Sequence, residues 1–181
     1  MRTELLSAIV CLLVVPLASA EVVESSANSL RVRHVRTVQA SPEKVWNSFL
    51  RVSGWWNSDH TYSGSAANLR IEPHAGGCFC ETLPNGSVQH MTVVFVSAND
   101  RMTLSGALGP MQTAGVAGAL TFQIAPGGEG SEMTLTYNVG GYYPGGLSSI
   151  ATVVDGMLSE QCTRLQRFIE TGMPEEKKAA K

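Results

Sequence analysis

A chain of 181 residues, 44% hydrophobic and 15% charged, carries enough apolar material for one well-filled domain. Its formal charge of −2, with no basic stripe and no acidic block, offers no footprint for nucleic acid. Beyond the N-terminal segment no run is apolar and long enough for a bilayer span of roughly 20 residues, and no repeat or linker divides the chain.

The start is short and polar (Met1-Arg2-Thr3-Glu4), then apolar from Leu5 to Leu17, then Ala18-Ser19-Ala20. That pattern predicts a signal peptide over residues 1–20, cleaved near Ala20, and a periplasmic or secreted protein. Cys11 lies inside the apolar run, not after a small-residue cleavage site, so no lipid anchor is read. Residues 21–28 are expected to be a flexible lead-in, 29–172 the domain and 173–181 a polar tail.

Leu30 to Gln39 alternates and is rich in β-branched residues, so it predicts a strand. Ser41-Pro42-Glu43 predicts a helix start, with Ser as N-cap and Pro at the first helical position, running to about Leu50. Trp55-Trp56 open a second short helical or loop element. From there strands dominate: Leu69–Ile71, Gly77–Leu83, Ser87–Val96 after an Asn85-Gly86 hairpin turn, and Arg101–Gly106. A Gly-rich loop is expected over Ala107–Gly118. Ala119–Ile124 and Glu132–Val139 follow, with one dry and one wet face. A long helix is expected from Leu147 to Thr171, ended by Gly172. Its apolar stripe is Ile150, Val154, Leu158, Leu165 and Ile169. The fold class is therefore α+β: a curved antiparallel sheet of about six to seven strands against one long C-terminal helix, with two short helices after the first strand.

This order resembles the START-like or SRPBCC superfamily, the helix-grip fold, in its chaperone-ATPase-activator-homologue and polyketide-cyclase-like branch. The residues that carry the resemblance are Ala40-Ser41-Pro42-Glu43-Lys44-Val45-Trp46, Trp55-Trp56, and Glu72-Pro73-His74-Ala75-Gly76-Gly77 leading into Cys78-Phe79-Cys80-Glu81. Together with the later strands and closing helix it covers about residues 29–172. His60-Thr61-Tyr62-Ser63-Gly64 and the paired cysteines resemble an exported bacterial subgroup. The resemblance implies a cavity for a small hydrophobic or amphipathic ligand between sheet and helix, and no cofactor. It does not imply a reaction, because one fold hosts many functions. Export also removes the cytosolic chaperone partner that the branch name suggests.

No nucleophile elbow, phosphate loop or zinc helix occurs. Trp55, Trp56, Tyr62, Phe79, Tyr137, Tyr142 and Tyr143, with His90 and Met157, are the candidates for lining a ligand cavity, since aromatic rings with a few polar tips suit an apolar guest. His60, beside Asp59, and His90 are the candidate acid–base groups, with Asp155, one helical step off the apolar stripe, as orienter. These support a second reading, a cyclase, aromatase or dehydratase. A third is a protein-interaction module using a sheet edge or the Gly106–Gly118 loop.

Three cysteines follow the leader: Cys78, Cys80 and Cys162. Reduced structural thiols are the default. If a bridge forms, Cys78 or Cys80 can join Cys162, provided the cysteines face the helix. A direct Cys78–Cys80 bridge needs a bulge, because Cα atoms two apart on a regular strand lie roughly 6.5–7 Å apart. His74, Cys78 and Cys80 match no common zinc spacing. Asn85-Gly86-Ser87 fits a glycosylation acceptor in a host with that machinery.

Overall fold

The computed structural model describes residues 20–175. The predicted signal peptide, up to residue 19, and the tail from residue 176 lie outside the described residues.

Eight strands form one antiparallel sheet in the order β1-β2-β8-β7-β6-β5-β4-β3. They are β1 (Ala20–Ser25), β2 (Ser29–Val38), β3 (Leu69–Ile71), β4 (Cys78–Leu83), β5 (Gly86–Ser97), β6 (Arg101–Ser105), β7 (Gly115–Gly127) and β8 (Gly130–Tyr142). The sheet has one strand more than the sequence suggested. The segment expected to be a flexible lead-in pairs as β1 with β2, where it gains backbone hydrogen bonds and packs Val22 against the core. β7 and β8 are also longer than expected. Their glycines allow pairing to continue as far as Gly115 opposite Tyr142.

Helix α1 (Pro42–Leu50) starts as its sequence dictates: the Lys44 N–H donates to the Ser41 hydroxyl at 3.3 Å, and Pro42 occupies the first turn. A 3-10 turn over Leu147–Ile150 leads into α2 (Ala151–Thr171). Gly172 ends α2 with φ +78° and donates its N–H to the Phe168 carbonyl at 2.9 Å.

α2 lays Val154, Leu158, Cys162, Leu165 and Ile169 onto the inner sheet face, all buried. Phe49 of α1 stacks on Phe122 of β7 at 4.0 Å between ring centroids, and Trp55 stacks on Phe49 at 6.2 Å. Only about 30 Å³ stays empty in this part of the interior, between Phe49, Trp55, Phe122, Leu158 and Gln161. Most of the space between sheet and helix is therefore filled by side chains. No helix among the described residues is long and apolar enough to cross a membrane.

Candidate functional site

The site begins with a register shift. Along β4 and β5, Phe79 pairs with Met91 but Cys80 pairs with Gln89, so His90 is an extra residue on β5. At such a bulge two successive side chains can turn the same way. Both His90 and Met91 are buried. The bulge thus turns a histidine inward from a strand segment whose neighbours Gln89 and Thr92 sit toward solvent.

On β4 the strand alternation brings Glu81 inward, fully buried. Its carboxylate accepts the backbone N–H groups of Tyr62, at 3.1 Å, and of Ser63. It also faces His90 Nε2 at 3.0 Å. Burial presses the Glu81 carboxyl upward, but the bonds from Ser63, Tyr62 and His90 together outweigh it and hold it below the usual carboxylate range. Burial likewise lowers the His90 pKa, and the attraction of Glu81 offsets this only in part. At neutral pH the pair is therefore a carboxylate and a neutral imidazole. Nε2–H donates to Glu81, which leaves Nδ1 as an acceptor.

Two loops converge on this pair. The first, residues 57–63, is tied to α2: the Asn57 N–H donates to Gln161 Oε1 at 2.9 Å, and His60 Nε2 meets Glu160 at 3.1 Å. It places Tyr62 over His90, ring centroids 5.9 Å apart, while Phe79 lies 4.8 Å from His90 on the strand side. The second is the Gly-rich segment after β6. The buried Tyr137 hydroxyl accepts the Leu108 N–H at 3.1 Å, and Gln112 donates its amide to the carbonyls of Gln89 and His90. Gly106, at φ +150°, lets this segment cross β5 closely; a Cβ there would lie 2.9 Å from the His90 carbonyl oxygen. The segment expected to be an open loop therefore folds inward, burying Leu108 and Met111.

Between these loops and the first turns of α2 lies a cavity of about 340 Å³. Trp56, Phe79, His90, Met111, Val154 and Met157 form its walls, with Asp59, His60, Tyr62, Tyr143, Ile150 and Val153 also facing it. It sits at one end of the helix-to-sheet space, because aromatic packing closes the rest.

The sequence candidates divide accordingly. Trp56, Tyr62, Phe79, His90 and Met157, with Tyr143, line the cavity. Trp55 does not: it is core, and its indole N–H donates to the Phe49 carbonyl at 3.1 Å. Tyr137 is fully buried as a strut for the Gly106–Leu108 segment, its hydroxyl pKa pushed up to about 12 by burial. Tyr142, at the end of β8, is 71% exposed to solvent.

Asp155 orients neither His60 nor His90. It lies 3.2 Å from His34 Nε2, beneath the opposite flank of α2, because one helical step turns it toward β2. Neither the default of reduced thiols nor the alternative bridge to Cys162 is found. Cys78 and Cys80 are joined to each other, their Cα atoms 5.4 Å apart at the bulged stretch of β4 and β5. Cys162 is a free, buried thiol whose pKa burial pushes up to about 12. Glu81, Leu108 and Met111 were missed as site residues. Alternation from Phe79 marks Glu81 as inward-facing, whereas nothing local announces the inward fold of residues 107–113.

The helix-grip architecture and an apolar end cavity define the general class. The sequence profile of the family described as polyketide cyclase / dehydrase and lipid transport matches residues 29–170, and the chain belongs to that family. No curated protein gives a significant match. Among solved structures, a conserved protein of unknown function, EF2215 from Enterococcus faecalis, is similar at TM-score 0.58 and 13% identity, over 82% of this chain and 75% of that one. CalU16 from Micromonospora echinospora follows at 0.51 and 14%, over 80% and 77%. The Aha1 dimer from Colwellia psychrerythraea gives 0.52 and 14%, over 78% and 97%. At these identities the likeness is one of fold. With the family match, it makes the chain a ligand-binding SRPBCC domain.

Proposed function

We propose that this domain holds a small, largely apolar molecule in the end cavity, as a binding protein exported by the leader at residues 1–20. The observation that carries the reading is a 340 Å³ space with mostly apolar walls, beside an interior that is otherwise filled. The Cys78–Cys80 bridge supports export, since such bonds persist outside the reducing cytosol. Export in turn argues against a chaperone partner.

Two measurements test it. Protein purified from its host is extracted with organic solvent and the extract read by mass spectrometry, and an apolar fluorescent dye is titrated into the emptied protein. A bound apolar compound, or dye binding that Met157→Trp weakens by narrowing the cavity, is expected. An empty extract together with no dye binding overturns the proposal. N-terminal sequencing of the mature protein should start at Glu21; an intact Met1 overturns cleavage, and recovery of the protein in the cytosolic fraction overturns export.

The His90–Glu81 pair favours one second reading, acid–base catalysis of the cyclase or dehydratase kind, with Glu81 in the place the sequence gave to Asp155. In D2O, a compact aryl ketone such as 2-tetralone should then exchange its α-hydrogens faster with the wild type than with His90→Phe. Equal exchange removes this reading and leaves binding intact.

A further inference from the structure

The His90–Glu81 pair also bears on which molecule fits. We infer that the cavity selects a ligand without an anionic group, with a compact apolar body and one hydroxyl group, which donates its proton to His90 Nδ1. The inference rests on the proposed binding function and goes one step beyond it, to the chemistry of the ligand.

Three observations and one physical rule carry it. The Glu81 carboxylate takes the Nε2–H of His90, which fixes the ring as an acceptor at Nδ1. That nitrogen has no protein partner among the described residues, yet it is not sealed from solvent. His90 is only 6% exposed and forms part of the cavity wall, so a guest in the cavity lies against its ring. A guest that leaves this acceptor dry loses a hydrogen bond to water without replacement, whereas a hydroxyl restores it.

Charge excludes anionic head groups. Among the described residues no Lys or Arg lines the cavity. The ionisable groups that do are Asp59, His60, Tyr62, His90 and Tyr143, with the buried Glu81 directly behind His90. α2 contributes only Val153, Val154 and Met157, and the 106–113 segment Leu108, Gly109, Pro110 and Met111. A carboxylate or phosphate would meet two carboxylates and no cation. The volume lies at the small end of ligand pockets, which suits a body of one or two rings.

The experiment uses the oxidised mature protein at pH 7.5 and three probes of one shape: 2-naphthol, 2-methylnaphthalene and 2-naphthoate. Dissociation constants are measured by equilibrium dialysis for the wild type and for His90→Phe. The affinity ratio of naphthol to methylnaphthalene should fall about tenfold in His90→Phe, the factor for one hydrogen bond. Naphthoate should bind weakest to the wild type. A second measurement needs no variant. As pH falls and His90 takes a proton on Nδ1, the ring turns from acceptor to donor, and naphthoate should gain affinity relative to methylnaphthalene in the wild type. An unchanged ratio in His90→Phe, a naphthoate-to-methylnaphthalene ratio flat with pH, or naphthoate binding tightest at pH 7.5 overturns the inference. If neither naphthol nor methylnaphthalene binds, this inference falls, while the binding function is judged by the extract and the dye.

Discussion

Two histidine–carboxylate pairs face the inner side of the sheet, and they are built differently. His90 and Glu81 lie 3.0 Å apart at the hollow end, in a network that satisfies the carboxylate three times over. His34 and Asp155 lie 3.2 Å apart beneath α2, where neither His34 ring nitrogen makes a well-aligned hydrogen bond. Burial lowers the pKa of both histidines, and at His34 the nearby Arg36 adds to the effect against Asp155. A buried histidine beside an acid is therefore not by itself a site. What separates the two is space: one ring opens on a cavity and the other is sealed by a helix.

The largest expected effect sharpens the contrast between filled and hollow ends. Phe122→Ala removes a ring stacked between α1 and the sheet and should cost about 3–5 kcal/mol in chemical denaturation. Met157→Ala, beside existing empty space, should cost well under half of that; equal losses would show that the end cavity is closed in solution.

Next comes Glu81→Ala, which strands two backbone N–H groups and His90. About 3 kcal/mol should be lost, and the 57–63 loop should gain amide hydrogen exchange. A loss below about 1 kcal/mol would mean that the carboxylate does not anchor that loop.

A smaller effect comes from pH. Four groups have folded pKa values below their unfolded ones: His34, His90, Glu81 and, at the surface beside Arg70, Glu72. For each, the unfolded chain binds protons more readily, so stability falls as pH drops. The histidines act first, below the unfolded value of 6.5, and Glu81 and Glu72 act below 4.5. Tm should therefore fall from pH 7.5 to 5.5 and fall further toward pH 4. A Tm that rises on acidification contradicts both histidine environments.

His34→Leu should do least, changing stability by no more than about 1 kcal/mol, since it removes two poorly partnered nitrogens and leaves Asp155 in partial contact with water. Dye binding at the end cavity should not change. A loss of binding would mean that the two pairs are coupled through α2.

Much of the fold was legible in the chain. Ser41-Pro42 marked the start of α1, Gly172 the end of α2, and the alternation on β7 and β8 marked a dry face. β1 was not legible, because an edge strand with little burial needs a partner more than a pattern. Of the cavity, Trp56, Tyr62 and Phe79 could be read as aromatics in flanking segments. Trp55, Tyr137 and Tyr142 carried the same signal and went elsewhere. Ring chemistry does not say which rings close a core and which bound a space.

Local rules operate over a few residues, so caps, turns and periodicity were fixed by the chain itself: an antiparallel sheet, one amphipathic covering helix, and a resemblance that the family match bears out. Pairing across strands is not local. The bulge that turns His90 inward, the Cys78–Cys80 bridge beside it, Glu81 as its acid, and the release of Asp155 to His34 depend on register between segments. Only the assembled sheet, with α1 and α2 filling one end and leaving the other hollow, decided where a ligand has room.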